Sequence, residues 1–436
     1  MITVRTRIAP SPTGQDLHIG NAYTALINYV FAQMHKGQFV IRVEDTDRTR
    51  LVEGSEKRIL ESLKWLGISY AEGPDIGGPY APYRQSERLE LYKKYAEELI
   101  TKGHAYWCTC TSERLIDMRK KQESAHMSPM YDGHCRELKL SKGLTIRLKV
   151  PKEGTTVFHD IIRGDISFEN KLIDDQVLMK SDGFPTYHLG VVVDDHVMKI
   201  THIIRGEEWI PSTPKHLLLY GFFGWELPRF AHVSLLRNPD RSKLSKRKNP
   251  VWVSDYRAKG FLPEAMKNYF ATMAWSFPDG RDIFSVEEMI REFKLEDIQT
   301  TAPVFDVEKL KWMNGKYLQE RHINEFYSNK YPEEKVKQIW PLVRERMKLL
   351  SEFESLAGFF FTRPEKHAVR PELRTALESC EWNHDAMEKT IRSLAGKNAK
   401  EVFMELRVAV TGKTVGPPLL ESLEILGKEE TLARIK

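Results

Sequence analysis

The sequence predicts an α/β fold: a βαβ core, a β-rich insertion between its two halves, and a helical C-terminal half. Three observations predict it. A strand, helix and strand pattern fills the chain from Val4 to Val43. Two further strand candidates, Ile200–Arg205 and His232–Leu236, follow a stretch of short β-like runs. After Gly260 strand signals mostly vanish and helical periodicities run to Lys436.

The elements follow in order. Val4 to Ile8 is a short β-rich run, and Pro10, Ser11, Pro12, Thr13 and Gly14 make a loop by their turn chemistry. Ile27, Val30, Phe31 and Met34 recur at helical spacing, with Gly37 as a stop. Phe39 to Val43 is a buried-strand candidate ending in Glu44, Asp45 and Asp47. This order implies a parallel βαβ unit. The loop carrying His18 then leads from the first strand into a helix N-terminus, where N–H groups and the helix dipole favour anions. Ser55 is expected to cap a helix carrying Ile59, Leu60, Leu63 and Leu66, stopped by Gly67. Ser86 is expected to cap another carrying Leu89, Tyr92, Ala96 and Leu99, stopped by Gly103. From Ala105 to about Val193 the runs are β-like, as in Thr145–Val150 and Thr156–Phe158. Helical patterns then include Lys309–Leu318, with Leu310 and Trp312 expected in a core, and Ala386–Leu394.

Bulk properties set limits. The chain has 436 residues, 41% of them hydrophobic, which excludes global disorder and allows several domains. The net charge of +5 is compatible with a polyanionic partner without diagnosing one. No run of ~20 apolar residues is present, so no membrane span is expected. The start, Met1 to Arg5, lacks the apolar centre of a signal peptide, so a cytoplasmic protein is expected. Of four cysteines, Cys108, Cys110 and Cys135 cluster while Cys380 stands alone. A cytosolic setting disfavours disulfides, so the cluster reads as metal ligands or plain thiols. Three thiolates and one more ligand would fill tetrahedral zinc. Ligand frequency favours His134 as the fourth, although its adjacency to Cys135 makes it hard for both to face one ion.

Two separated segments carry phosphate chemistry. Gly20 allows close backbone approach to a nucleotide, and His18 can donate to phosphate oxygens as charge builds. The basic loop Asp240–Lys248 offers Lys243 and Lys246 as clamps on leaving phosphates. Arg7, Glu44 and Arg205 each end a strand candidate, and Tyr187 follows Phe184, Pro185 and Thr186.

His18-Ile19-Gly20-Asn21, closing the run from Arg7 to Gly14, and Lys243-Leu244-Ser245-Lys246-Arg247 resemble the two phosphate-handling motifs of class I aminoacyl-tRNA synthetases. The residues around them resemble the bacterial glutamyl-tRNA synthetase family over essentially the whole chain, most densely at 7–47, at 185–247 and around Trp312. Asn21 replaces the second histidine of the class motif, a departure the bacterial glutamyl enzymes usually share. The resemblance implies a Rossmann-like catalytic domain in two halves, 1–104 and 194–254. It also implies an inserted α+β acceptor-binding subdomain at 105–193, a helical stem-contact domain at 255–323, and an all-α anticodon-binding region at 324–436. Its implied substrates are ATP with Mg²⁺, L-glutamate and tRNA(Glu), and tRNA(Gln) stays open; a monomer is implied. A free acidic amino acid calls for two arginines and one carboxylate.

By the same resemblance, Arg7, Ala9, Ser11, Glu44, Tyr187, Arg205 and Trp209 would bind glutamate. Arg7 would take the side-chain carboxylate, Glu44 the ammonium and Arg205 the other carboxylate. Ala9, Ser11, His18, Gly20, Glu208, Leu235, Leu236, Lys243, Ser245 and Lys246 would bind ATP, with His18, Lys243 and Lys246 catalytic. Structural zinc would sit on Cys108, Cys110, Cys135 and Tyr131 rather than His134. The alternative is a catalytically inactive, synthetase-like tRNA-binding protein. A glutamyl-queuosine enzyme lacks the helical anticodon region, and a glutaminyl enzyme would end in a β-barrel.

Overall fold

Strand β1 (Arg5–Ile8), wholly buried, starts the fold and runs parallel to β2 (Gln38–Ile41), with Arg5 opposite Gln38 and Ile8 opposite Ile41. Between them lies α1 (Ile19–Met34), whose Ala22, Ala25, Leu26, Ile27 and Val30 are buried. Strand, helix and parallel strand form the expected βαβ unit. The computed structural model describes residues 3–242, 244, 250–321 and 330–435. Among these the chain divides into two compact units, Met1–Asp255 with Lys267–Asp306, and Tyr256–Met266 with Val307–Lys436.

In the first unit, α2 (Ser55–Trp65) and α3 (Leu89–Thr101) follow β2. Their caps differ from expectation. Gly54, at φ +70°, caps α2 and Ser55 is its buried first residue. Arg88 caps α3, because Ser86 is held by Asp45 through both its peptide N–H and its hydroxyl. Next come β3 (Ala105–Cys108), α4 (Ser112–Ser124), β4 (Thr145–Leu148), β5 (Thr155–Asp160), β6 (Gly164–Glu169) and β7 (Val177–Met179). Strands β3, β4 and β7 form an antiparallel sheet. The chain then forms α5 (Tyr187–Val197), β8 (His202–Gly206), α6 (Thr213–Phe223) and β9 (Arg229–Val233).

Strands β8 and β9 pair in parallel, so the sheet pattern resumes where the sequence indicated. Strand β9 ends at Val233, short of the expected Leu236. The β5–β6 hairpin joins the same sheet, in the order β6-β5-β9-β8, through a parallel contact of Asp160 with Phe230. The start of β8 lies against β1: the Thr201 N–H donates to the Arg5 carbonyl at 3.0 Å. Buried Asn28 of α1 accepts from Thr6 of β1 at its carbonyl and donates from its side chain to the Ile204 carbonyl of β8.

In the second unit the described elements are helical. One cluster buries Leu318, Val336, Ile339, Trp340, Val343 and Phe353. Another buries Leu373, Leu377, Met387, Ile391, Leu406 and Leu423. The helix Val307–Glu320 buries Leu310, Met313, Asn314 and Leu318, a stripe at helical spacing. Trp312 falls off that stripe and is 41% exposed, which corrects its expected core placement.

One buried carboxylate joins three elements of the first unit. Asp194 of α5 accepts from Arg88 Nε at 2.8 Å, Tyr92 Oη at 2.8 Å and Gln85 Nε2 at 2.9 Å. It also pairs with Arg42, just past β2, at 3.5 Å. Removing one partner of such a set leaves buried charge uncompensated. Asp194→Ala is expected to cost ~3–5 kcal/mol, measured as a lowered midpoint of urea unfolding.

Candidate active site

A cleft of about 410 Å³ opens at the carboxyl ends of β1, β8 and β9. Parallel strands leave their C-terminal loops there, which is why residues from distant segments meet. Arg7, Ala9, Ser11, His18, Gly20, Glu44, Tyr187, Arg205, Glu208, Trp209, Leu235 and Leu236 all line it. Leu244, buried, lines it as well. Lys243, Ser245 and Lys246 lie outside the described residues.

His18 is the N-cap of α1, and its Nδ1 accepts from the Gly20 N–H at 3.0 Å. A neutral imidazole accepting at Nδ1 carries its proton on Nε2, so Nε2 is a donor. A Cβ on residue 20 would lie 3.1 Å from that Nδ1, so glycine keeps the cap uncrowded. The chain just after the basic loop is stitched to the same turn. Ile19 N–H donates to the Val251 carbonyl at 2.8 Å, and Val253 N–H to the Leu17 carbonyl at 3.0 Å. Trp252 meets the His18 ring edge-on, with centroids 6.0 Å apart.

Arg7 and Arg205 are held differently. Arg7 donates from Nε and Nη2 to Asp195, each at 3.1 Å. Arg42 donates from Nη1 to the same carboxylate at 2.7 Å and from Nη2 to Glu44 at 3.3 Å. These two arginines hold the Asp195 carboxyl below its usual range despite full burial. Burial pushes the Glu44 carboxyl up to about 7, against the pull of Arg42 and Arg7. Arg205 donates to His232 Nε2 at 3.0 Å, Thr213 Oγ1 at 2.9 Å, His216 Nδ1 at 3.2 Å and Tyr187 Oη at 3.4 Å. Tyr187 stacks on Trp209, with centroids 4.1 Å apart.

Sequence reasoning missed the groups behind this lining. Asp194 and Asp195 interrupt an apolar helical run, a signal that buried cations must face them. His188, His216 and His232 are scattered, and no spacing connects them. Burial pushes His188 down to about 3 and His232 down to about 4, so both are neutral near pH 7. Arg163, in the β5–β6 turn, donates to Glu207, which accepts from the Leu235 N–H at 3.2 Å. That pair fixes the segment lining the cleft after β9.

The cysteine cluster fits a metal. Sulfurs of Cys108, Cys110 and Cys135 lie within 4.8 Å of one another. Tyr131 Oη sits 3.4 Å from the Cys108 sulfur and 3.3 Å from that of Cys110. Tetrahedral zinc with ~2.3 Å Zn–S and ~2.0 Å Zn–O bonds has donor separations of about 3.5–3.8 Å. The arrangement is close to that, and Arg147 stacks over the Tyr131 ring at 3.8 Å to offset thiolate charge. His134, the ligand favoured by frequency, is exposed, while Tyr131 is buried among the sulfurs.

Residues 3–312 match the family of tRNA synthetases class I (E and Q), catalytic domain, and residues 307–436 match an anticodon binding domain family. The glutamate–tRNA ligase of Acidothermus cellulolyticus is 44% identical over 100% of this chain and 95% of its own length. That of Marinomonas sp. is 46% identical, with the same coverage. The crystal structure of a glutamate tRNA ligase from Elizabethkingia meningosepticum in complex with its amino acid superposes with a TM-score of 0.88. It shares 37% identity and covers 99% of this chain and 98% of that one.

The raised Glu44 is measurable. Below about pH 7 its carboxyl holds a proton, so attraction for a ligand ammonium is lost as pH falls through that value. Side-chain ¹³C NMR is expected to show a midpoint near 7 that disappears in Glu44→Gln; a midpoint in the ordinary range of about 4.3 would contradict the burial argument.

Proposed function

We propose that this chain, which belongs to the glutamate–tRNA ligase family of class I aminoacyl-tRNA synthetases, activates glutamate in the cleft lined by Arg7, Glu44, Tyr187 and Arg205. The observation that carries the reading is the meeting in one cleft of the His18 turn, Leu244 of the basic loop and two arginines with a carboxylate. The overall reaction joins glutamate to its tRNA. In the proposed first step a carboxylate oxygen of glutamate attacks the α-phosphorus of ATP, and pyrophosphate leaves. In the second the terminal ribose hydroxyl of the tRNA attacks the activated carbonyl, and AMP leaves.

The substrate supplies its own nucleophile, so the protein positions and stabilises charge. Arg7 takes the side-chain carboxylate, Glu44 the ammonium and Arg205 the other carboxylate. Ala9, Ser11, Glu208, Leu235 and Leu236 line the nucleotide's part of the cleft, supported by their common lining. His18 offers its Nε2 proton to phosphate oxygens, and Lys243 and Lys246 neutralise the leaving pyrophosphate. Mg²⁺ accompanying ATP adds charge neutralisation there. Cys108, Cys110, Cys135 and Tyr131 would hold zinc, which would cross-link β3 to the loop carrying Tyr131.

The insertion at 105–193 is assigned to the tRNA acceptor end, 255–323 to the stem and 324–436 to the anticodon. The anticodon-family match at 307–436 supports the last.

Lys246→Ala is expected to lower pyrophosphate exchange, assayed with tRNA present, by roughly 10²–10³-fold while the circular-dichroism melt stays unchanged. Unaltered exchange would remove Lys246 from the mechanism. For the metal, elemental analysis is expected to find one zinc per chain. Cys135→Ser and Tyr131→Phe should lower that occupancy, and His134→Ala should keep it.

A further inference from the structure

The buried arginines around the cleft fall into two kinds. Arg5, Arg7, Arg42 and Arg88 each hold a carboxylate: Glu72, Asp195, Asp195 with Asp194, and Asp194. Arg205 is as deeply buried, at 5% exposure, yet no carboxylate lies in ion-pair contact with it among the described residues. Its four partners are His232, His216, Thr213 and Tyr187.

A guanidinium only donates, so His232 Nε2 and His216 Nδ1 must present lone pairs. Each ring then carries its proton on the other nitrogen, and each proton has a receiver. His232 Nδ1 donates to buried Asp160 at 2.6 Å, and His216 Nε2 donates to His188 Nδ1 at 3.1 Å. Thr213 has its own proton directed to the Trp209 carbonyl at 3.1 Å, which leaves its oxygen to accept from Arg205. The countercharge of Asp160 therefore sits one imidazole away from the guanidinium instead of on it.

We propose that His216, His232 and Thr213 form a charge-neutral cradle that takes three of Arg205's five N–H groups while leaving its positive charge uncancelled for the substrate's carboxylate. They are positioning residues and determinants of specificity for an anionic amino acid. A carboxylate in any of their places would bond Arg205 equally well and compete with the ligand for it. The proposal rests on Arg205 receiving a glutamate carboxylate.

The test uses pairs of substitutions that differ only in charge. His216→Gln and His216→Glu have the same shape, as do Thr213→Asn and Thr213→Asp. Glutamate KM, ATP KM, kcat and the urea midpoint are measured for the full-length enzyme. The neutral variants are expected to hold glutamate KM within about threefold. The acidic variants are expected to raise it by roughly 100-fold, about 2.7 kcal/mol, with ATP KM unchanged. The Thr213 pair serves if either His216 variant fails to fold. Equal glutamate KM within each pair, with Arg205→Gln still raising it strongly, would overturn the cradle alone. An Arg205→Gln enzyme with normal glutamate KM would overturn the site reading and the cradle with it.

Discussion

The first unit depends on two adjacent carboxylates buried in the last turns of α5. Asp195 engages Arg7 and Arg42; Asp194 engages Arg42, Arg88, Tyr92 and Gln85. Both are fully buried, and placing charges in a low-dielectric interior costs several kcal/mol per ion unless every oxygen is answered. Among the described residues every partner is a buried cation, hydroxyl or amide. The result is directional where apolar packing is not. It ties β1, the chain after β2, and α3 to one helix. That helix begins at Tyr187, which faces the cleft. One end of α5 is thus pinned by ion pairs and the other end supplies the site, so Tyr187 and Arg7 keep a fixed relation.

A second constraint acts at the entrance to α1. The His18 side chain satisfies one of the helix's otherwise unpaired N–H groups, and the same bond decides which ring nitrogen carries the proton. Local capping therefore leaves Nε2 as the ring's donor, the atom proposed to meet phosphate. The backbone bonds from Ile19 and Val253 then hold the chain after the basic loop beside that donor. The two segments are more than 200 residues apart in sequence, and Leu244 of the basic loop lines the same cleft as His18 and Gly20.

Much of this was legible from the chain because short periodicities carry it. Hydrophobic spacing and turn residues marked β1, α1 and β2, and parallel topology sends their C-terminal loops to one edge. Hence strand-end residues such as Arg7, Glu44 and Arg205 could be named together. What stayed hidden depends on side chains meeting across long separations. The contact of Asp160 with His232 joins residues 72 apart, and the hairpin carrying Asp160 looked like part of the insertion. Ser55 and Ser86 are good capping residue types, yet glycine in the left-handed region and the claim of Asp45 on Ser86 displaced both. Trp312 is large and apolar, but helical phase, which places Leu310 and Met313 inward, leaves it outside.

The cleft's two arginines are buried by two different solutions in one pocket. Two uncompensated guanidiniums side by side would repel each other and oppose folding. Pairing Arg7 with Asp195 offsets one of them, and its Nη1, uncommitted among the described residues, remains for a ligand. Arg205 is stabilised instead by neutral dipoles, which orient its planar fork without cancelling its charge. Glu44 completes the balance. Poised near 7 and in contact with Arg42, it is a carboxylate lining the cleft whose charge a bound ammonium would strengthen. The pocket therefore tolerates its own charges when empty, and on the proposed assignment it gains most from a ligand bearing carboxylates at one set of positions and an ammonium at another.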